Sequence, residues 1–507
     1  MIETYARFLT DDQVERVHQA SLEILQETGL LIRNDKARKR LIDHGCLPQK
    51  DSKTVTFPSE LVETNLALVP PTFTIYGRDP KYDVTFPRGI PLIITASSAP
   101  DIVDPISGIT RRANSEDIAR IGHMLNELEG FDVMSISVLA DDAPEGQFSL
   151  SRFYPAVKNC LKPVRTSVID EREAKQVLKL GELIAGSEQA YRERPFITFG
   201  HCPIVSPLTM DFDSTEMLMY FAENEIPSYG TIAPIGGLST PLTLPGMLAL
   251  MNAEWLAMMV LTQISRAGTQ MIYNFLPVFA DMRDGAYAPG GIETGIMNSA
   301  VCQMGRHYNV PVGGYLGLTN SKVCDAQSGF EKTMSPMIGT LSGVDYIVTG
   351  GLQDALMTFD YAQLVIDNET ALMLKRVVRG MEFSEQALAL DEIKKVGPAD
   401  IFVGEPNTLE LMTTTTFMPE LADRDPREKW EFDGSRNIRD RAMDKAREIL
   451  TRPNTGALSP EIDARVRAGF GDLISEELVA GDSIAPEGWT PPEPKRGKRV
   501  SRRRRAA

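Results

Sequence analysis

The hydrophobic pattern between about residues 90 and 380 repeats eight times. Apolar runs of six to nine residues alternate with stretches whose apolar positions keep helical spacing, which is typical of β-α units. Eight units are the number in a closed parallel barrel, whereas an open doubly wound sheet usually has five or six strands. The sequence therefore predicts an α/β fold, a (β/α)8 TIM barrel. The predicted strands are 92–98, 132–140, 163–170, 195–202, 227–233, 270–277, 311–319 and 346–352, and the predicted helices are about 115–129, 147–160, 172–186, 213–225, 243–267, 292–309, 325–341 and 360–378.

Segments with other patterns flank the eight units. Thr10 is placed to cap a helix over about 11–29, and short strands are predicted near 54–57 and 73–76. We expect an N-terminal helical extension over 1–90, the barrel catalytic domain over 91–380, and C-terminal helices over 381–481 that wrap around the barrel. The Pro-rich and charged residues 482–507 are expected to form a disordered basic tail.

Composition and charge exclude several classes of protein. The 507 residues carry a net charge of −16, which argues against nucleic-acid binding, although eight Lys or Arg lie between Lys495 and Arg505. The longest apolar stretch, about 247–264, contains Asn252 and Glu254, so we expect no membrane span. Five scattered cysteines and an N-terminus without a signal-peptide pattern favour a cytoplasmic protein.

The outlet of the seventh predicted strand is the most polar place in the barrel region. Within thirteen residues it contains the cluster Thr319, Asn320, Ser321, Lys322, Asp325, Gln327 and Glu331. The carboxyl ends of barrel strands are where active sites lie. Asp325, Gln327 and Glu331 surround one helix start, where they fit a catalytic role or simple helix capping equally well.

Aromatic side chains occur in several predicted strands near their outlets. These are Phe199, Tyr229, Tyr273, Phe275 and Tyr315, and Asn274 lies between two of them. Aromatic faces bind quaternary ammonium groups through cation–π attraction, which makes these positions candidates for substrate binding. Ordinary core packing is the alternative, since only alternate residues of a strand face inward.

His201 ends the fourth predicted strand and is a candidate for ligand binding. His201, Cys202 and Cys324 could together suggest zinc, but their spacing matches no zinc motif, so we predict no metal site. Neither a GxGxxG nor a GxxxxGK[ST] motif marks a nucleotide cofactor.

Six stretches of the chain resemble the trimethylamine methyltransferase family of corrinoid-dependent methyltransferases. Matches to the family run from about residue 10 to 452, and the six stretches are specific only in combination. The stretches are EILQETGLLI (23–32), FGHCPIVSPL (199–208), TIAPIGGLSTPLTLPG (231–246), VPVGGYLGLTNSKVCDAQSGFEK (310–332), VDYIVTGGLQ (344–353) and FMPELADRDPREKWEFDGSRNIRDRA (417–442). One departure is TTTTF at 413–417, where members of the family tend to have His-Thr.

The resemblance implies transfer of a methyl group from a methylated amine to the Co(I) corrinoid of a separate corrinoid protein. The trimethylamine branch carries pyrrolysine; this chain has none and is similar to the branch that uses quaternary amines such as glycine betaine. Because no corrinoid-binding DxHxxG motif is present, the corrinoid cofactor is expected on the partner protein. The resemblance also implies a homo-oligomer. Alternatives are another methyl donor, free cobalamin as acceptor, or a barrel that binds without catalysis.

For the site we predict two groups of residues. Catalytic positions are Glu331, Gln327 and Asp325. Substrate-binding positions are His201, Tyr273, Asn274, Phe275, Tyr315, Phe199 and Asn320.

Overall fold

The computed structural model describes residues 5–50, 52–481, 484–486 and 488–491. The predicted basic run from Lys495 to Arg505 lies outside these residues. Eight parallel strands and eight helices alternate as predicted. The strands are β1 (Leu92–Ile94), β2 (Met134–Ser135), β3 (Val164–Thr166), β4 (Ile197–His201), β5 (Ser228–Gly230), β6 (Tyr273–Phe275), β7 (Val312–Tyr315) and β8 (Tyr346–Val348). The helices are α1 (Ser115–Glu127), α2 (Phe148–Asn159), α3 (Glu171–Ala185), α4 (Asp213–Glu223), α5 (Leu244–Ser265), α6 (Glu293–His307), α7 (Ala326–Leu341) and α8 (Tyr361–Val378).

The eight strands form two four-stranded parallel sheets. Their spatial orders are β5-β4-β3-β2 and β6-β7-β8-β1. Single parallel bridges join the sheet edges, from Ile94 to Val133 and from Ile232 to Phe275. The predicted α/β class with parallel sheets is therefore confirmed, and all eight strands direct their carboxyl ends to the same side.

Aspartate side chains at the strand outlets cap three of the eight helices. Asp170, Asp325 and Asp360 accept hydrogen bonds from the first-turn backbone amides of α3, α7 and α8. An acidic cap satisfies a free N–H and interacts favourably with the helix dipole. These aspartates therefore fix where the chain enters α3, α7 and α8.

Loops at the carboxyl ends build two further small sheets. One joins Leu352–Gln353, Thr358–Phe359, Asp101–Val103 and Thr110–Arg112, after β8 and β1. The other joins Ile235–Gly236, Val278–Asp281 and Ala286–Ala288, after β5 and β6. Ordered backbone thus covers part of the rim where the strands end.

The N-terminal segment contains both helices and strands and packs on α5 and α6. Its helices are Asp11–Glu23, Asp35–Asp43 and Ser59–Leu66, and its strands are Leu30–Ile32, Leu47–Pro48, Thr54–Thr56, Phe73–Ile75 and Val84–Phe86. Ser21 donates to the carbonyl of Ala249 on α5. His18 hydrogen-bonds to the Tyr308 hydroxyl, just after α6, at 2.9 Å.

Five helices follow the eight units, and two of them, Ile438–Leu450 and Pro460–Gly469, lie against α8 and α3 respectively. The five helices are Leu390–Val396, Pro406–Leu411, Arg427–Phe432, Ile438–Leu450 and Pro460–Gly469. Arg439 pairs with Asp360 at 3.1 Å, and Asp463 accepts from Lys158 on α2 at 2.8 Å. These buried or half-buried ion pairs attach the segment to the eight units.

One helix in the described part of the chain, α5, is long and apolar enough to cross a membrane by length and composition alone. Most of α5 is buried inside the protein. Its Trp255 packs edge-on against Tyr273 of β6, with ring centroids 4.9 Å apart. Helix α5 therefore forms part of the core.

A buried ion pair links α7 to α8 beneath the outlets of β7 and β8. Lys332 lies 3.2 Å from Asp367, and both side chains are 3% exposed. Lys332 also donates to the carbonyls of Gly317 and Leu352, while Asp367 accepts from the Gly351 amide. Burial raises the pKa of Asp367, which the adjacent ammonium group opposes.

Replacing Lys332 by Met is expected to lower the free energy of unfolding by about 3–5 kcal/mol, because the Asp367 charge then has no counter-ion. Urea unfolding followed by circular dichroism measures the change. Lys36→Met removes an exposed pair with Glu216 and serves as the control. Equal unfolding midpoints for the two variants would contradict the role assigned to this pair.

Candidate functional site

A cavity of about 380 Å³ lies at the carboxyl ends of the strands. Outlets of β1, β3, β4, β5 and β7 contribute to it, together with α4. Its lining is formed by Ser97, Ser98, Thr166, Ser167, Val168, Ile169, Gly200, His201, Cys202, Ser214, Met217, Phe221, Tyr229, Thr231 and Tyr315. No Asp, Glu, Lys or Arg occurs among these lining residues. The cavity has the size for a small molecule and offers it aromatic rings and neutral hydrogen-bonding groups.

Two tyrosines supply the aromatic surface from inward-facing strand positions. Tyr229 lies on β5 and Tyr315 ends β7. Burial raises the pKa of both hydroxyls, and the nearby Arg165 charge opposes that rise. Both rings are therefore neutral at physiological pH and present faces suited to a cation.

His201 lies at the end of β4, as predicted, and lines the cavity. Its Nδ1 atom has no hydrogen-bond partner in the described part of the protein. Burial lowers the pKa of the imidazole to about 3. The ring is thus a neutral hydrogen-bonding group at physiological pH.

Asn274 lies one layer below the cavity on β6. Its Nδ2 donates to the Thr231 hydroxyl at 2.7 Å, and its Oδ1 has no partner among the described residues. The neighbouring strand has Gly313 here, where a Cβ atom would come within 2.8 Å of that oxygen. Asn274 therefore supports the cavity through Thr231 and does not line it.

Three predicted aromatics face the helices and not the cavity. Tyr273 donates to Asn252 of α5 at 2.7 Å and packs edge-on against Phe275, with centroids 4.6 Å apart. Phe199 stacks on Phe221 of α4 at 5.0 Å. None of the three is among the lining residues, because strand alternation places them on the outer side.

The predicted catalytic residues form a second cluster at the outlet of β7. Glu331 accepts hydrogen bonds from the Thr319 hydroxyl at 2.5 Å, the Asn320 amide at 2.9 Å and the Gln327 side chain at 3.0 Å. The contacts with Thr319 and Asn320 join α7 to the preceding loop, whereas Gln327 lies on α7 itself. Glu331 is thus bonded to its own outlet and is not among the cavity-lining residues.

Asp325 and Asn320 hold the same loop from either side. Asp325 caps α7 by accepting from the Ser328 amide, and it also accepts from the Ser321 hydroxyl, both at 2.9 Å. These hydrogen bonds lower the pKa of Asp325. Asn320 donates to the Tyr287 carbonyl at 2.9 Å, in the hairpin after β6.

Tyr287 places the β7 outlet cluster close to the cavity. Burial raises the pKa of its hydroxyl, and the neighbouring Tyr315 hydroxyl raises it further. Tyr315 lines the cavity, while the Tyr287 carbonyl is bonded to Asn320. The cluster can therefore influence the position of one cavity wall.

Arg165 on β3 is a residue that the sequence reasoning missed. It is 2% exposed, and its guanidinium carbon lies 4.4 Å from the centroid of Tyr229 and 5.0 Å from that of Tyr346. The signal available in the sequence was a single Arg within the apolar strand PVRTS (163–167). A charged side chain inside such a strand is rarely fully buried unless it is paired with another group.

No metal centre is evident in the described part of the chain. No group of three or more His, Cys, Asp or Glu side chains there could hold a metal ion. Cys202 lines the cavity, whereas Cys324 interacts with Gln353 and Asp360. The described cysteines are all unpaired thiols.

A family model for trimethylamine methyltransferase matches residues 2–471. The chain belongs to the trimethylamine methyltransferase family. The family resemblance seen in the sequence is thereby confirmed, and so is the prediction of a methyltransferase.

Individual relatives cover nearly the whole chain. A trimethylamine methyltransferase of Desulfitobacterium hafniense is 30% identical, over 94% of this chain and 95% of that protein. A glycine betaine methyltransferase of the same species is 29% identical, over 92% and 98% respectively. A trimethylamine methyltransferase of Methanosarcina barkeri is 28% identical, over 87% and 90%.

Among solved structures, a dihydropteroate synthase of Xanthomonas albilineans is similar with a TM-score of 0.35. Its sequence is 11% identical, and the match covers 61% of this chain and 99% of that one. A likeness this weak carries no argument about activity or site.

The imidazole of His201 is expected to stay neutral at every pH from 5 upward. Its pKa is lowered to about 3 because burial disfavours the charged ring. A pH titration of the histidine ring protons by NMR, with His201→Gln to assign the signal, measures this. A His201 resonance that titrates near pH 6.5 would contradict it.

Proposed function

We propose that this member of the family transfers a methyl group from a small methylated amine to the Co(I) corrinoid of a separate carrier protein. The observation that carries the proposal is the cavity of about 380 Å³ at the strand outlets, with Tyr229 and Tyr315 facing into it, in a chain of this family. The named activities of the relatives support the same reaction.

The chemistry suits a cavity without charged lining residues. In this displacement the methyl carbon leaves nitrogen, the electron pair of the C–N bond stays on nitrogen, and Co(I) supplies the pair for the new bond. A quaternary substrate departs as a neutral amine, so no general acid is required. The protein has to hold the cation, align the C–N bond and exclude water.

We assign the cation contact to Tyr229, Tyr315 and Phe221, whose rings border the cavity. His201 offers a neutral hydrogen bond from the same wall. Of the outward-facing aromatics, Phe199 packs behind Phe221 and fixes its position.

We assign positioning roles to the cluster at the β7 outlet. Glu331 holds the loop at Thr319 and Asn320, Gln327 orients that carboxylate, and Asp325 fixes the start of α7. Glu331, Gln327 and Asp325 thus act by positioning the loop and take no part in proton transfer. A quaternary substrate requires no proton transfer, because it departs as a neutral amine.

The proposed architecture is a closed (β/α)8 barrel spanning 91–380. The bridges Ile94–Val133 and Ile232–Phe275 support closure, since they connect the edges of the two parallel sheets. The flanking segments 1–90 and 381–481 would then be additions that pack on the outside. The corrinoid carrier would approach the carboxyl rim, and we propose a cytoplasmic homo-oligomer.

Mixing the enzyme with its reduced carrier and a methylated amine is expected to convert the carrier's absorption spectrum from the Co(I) to the methyl-Co(III) form. A panel of quaternary and tertiary amines identifies the donor. Free cobalamin in place of the carrier is the control. The proposal fails if no amine in the panel changes the spectrum, or if the acceptor works equally well without the carrier protein.

Replacing Tyr315 by Ala is expected to raise KM for the amine about 2- to 30-fold, because a cation–π contact contributes about 0.5–2 kcal/mol. Tyr315→Phe keeps the ring and is expected to stay near the parent value. Initial rates of methyl transfer at varied amine concentration give both numbers. Equal KM values for the Ala and Phe variants would show that the Tyr315 ring does not contribute to substrate binding.

A further inference from the structure

Residues 379–420, all of them described by the structure, include no buried side chain. The segment lies between Val378, the last residue of α8, and Leu421, both of which are buried. We call it the arm. It contains two helices, Leu390–Val396 and Pro406–Leu411. Helices of this length are unstable on their own in water, so the arm needs a surface to pack against.

The arm exposes a high concentration of large apolar side chains. Of the 36 large apolar residues that are exposed in the described part of the protein, 12 lie in the arm. Met381, Phe383, Ile401 and Val403 are between 70% and 87% exposed. Single exposed apolar residues are ordinary, whereas a concentration of this kind marks a surface that binds another protein.

Polar contacts tie the two helices of the arm to each other. Lys395 pairs with Glu405 at 2.7 Å, and Asn407 donates to Glu392 at 3.1 Å. None of the apolar residues of the arm packs against the hydrophobic core of the described chain. The apolar side chains are therefore free to contact a partner.

The base of the arm lies at the end of the eight units opposite to the cavity. Helix α8 starts at the strand outlets and extends for 18 residues, about 27 Å, to Val378. Near that end Lys375 pairs at 2.9 Å with Asp132, which lies two residues before β2. Arg376 donates to the Thr415 carbonyl at 2.8 Å, so the arm leaves and returns at the same place.

The charge and position of the arm indicate which partner it fits. Eight acidic and three basic residues give it a net charge of −5, which repels the phosphates of nucleic acids and of anionic membranes. A carrier that delivers cobalt to the cavity has to approach the opposite end. A second copy of the chain is always present, and interfaces between identical subunits are the more apolar kind. The length of the arm also exceeds the roughly 20–30 residues that each partner contributes to a stable interface.

We propose that the arm is the interface through which two copies of this chain associate, with Phe383, Ile401 and Val403 buried between them. A two-fold axis brings the same surface of each copy into contact. The inference names the interface of the proposed homo-oligomer and does not depend on the proposed methyl transfer. The cavities of the two copies then lie away from the interface, and both rims stay open to a carrier.

Sedimentation velocity of the full-length protein over a range of concentrations tests the inference. We expect the parent to associate, and Ile401→Glu to raise the dissociation constant at least about 100-fold, because the new carboxylate would be buried without a partner. Ile109→Glu is the matched control, since Ile109 is also 70% exposed but lies outside the arm. A monomeric parent, or equal association of the two variants, would overturn the inference.

Hydrogen exchange followed by mass spectrometry provides a second measurement. We expect the amides of Leu390–Val396 and Pro406–Leu411 to exchange at least about tenfold faster in Ile401→Glu than in the parent, because short helices without a partner open readily. Equally slow exchange in a monomeric Ile401→Glu variant would show that the arm is stable alone and would overturn the inference.

Other occupants of the arm give different results, each of which would overturn the inference. A monomeric parent that binds the carrier only while Ile401 is intact would assign the arm to the carrier. A monomeric parent whose arm exchanges faster after removal of residues 492–507 would assign it to the chain's own C-terminus. Association of two arms of like charge is expected to strengthen at high salt, whereas binding of the basic residues 495–505 would weaken.

The interface and the reaction fail independently. Methyl transfer by a monomeric protein would refute the interface and leave the proposed function intact. An arm-dependent oligomer that transfers no methyl group would support the interface and refute the proposed function.

Discussion

Backbone hydrogen bonding between parallel strands is the constraint on which the rest of this protein depends. Each strand has a parallel neighbour on both sides once the bridges Ile94–Val133 and Ile232–Phe275 are included. Parallel pairing sends every carboxyl end to one side, so residues far apart in sequence meet at one rim. The cavity combines Ser97, Tyr229 and Tyr315 for this reason alone.

Strand alternation then decides what each side chain can do. On β6, Asn274 points inward between Tyr273, which donates to Asn252 of α5, and Phe275, which packs on the Tyr273 ring. On β7, the two glycines at 313 and 314 leave room on both faces, since a Cβ atom there would lie 2.3 Å from the Tyr346 ring and 2.1 Å from Asn298. A small strand residue thus lets larger neighbours fill the interior without strain.

Helices and family were predictable from the sequence, whereas the direction of side chains was not. All eight predicted helices of the β-α units agree with the structure to within two residues at each end, and hydrogen-bonding caps mark four of their starts, at Asn114, Asp170, Asp325 and Asp360. Strands were predicted too long; 132–140 contains only Met134–Ser135, since an apolar outlet loop has the same composition as a buried strand.

The site residues were predicted only in part, because the sequence does not give the direction of each side chain on a strand. His201 and Tyr315 line the cavity, but Tyr273 lies on the opposite face of its strand. When a strand is apolar on both faces, its sequence does not show which residues point inward. Glu331 stood out because its segment is polar. Arg165 did not stand out, because it is a single charged residue in an apolar run and nothing near it in the sequence indicates that it is buried.

The contact of Arg165 with the rings of Tyr229 and Tyr346 has an evolutionary consequence. Three strands, β3, β5 and β8, each contribute one member of this cluster, and the two rings also meet edge-on, with centroids 6.3 Å apart. Loss of the guanidinium alone would leave an unfilled space beside the two rings, and a larger replacement would have to displace them. A change at one of these three positions would therefore require compensating substitutions at the other two, which lie far away in the sequence, so single mutations there should rarely persist.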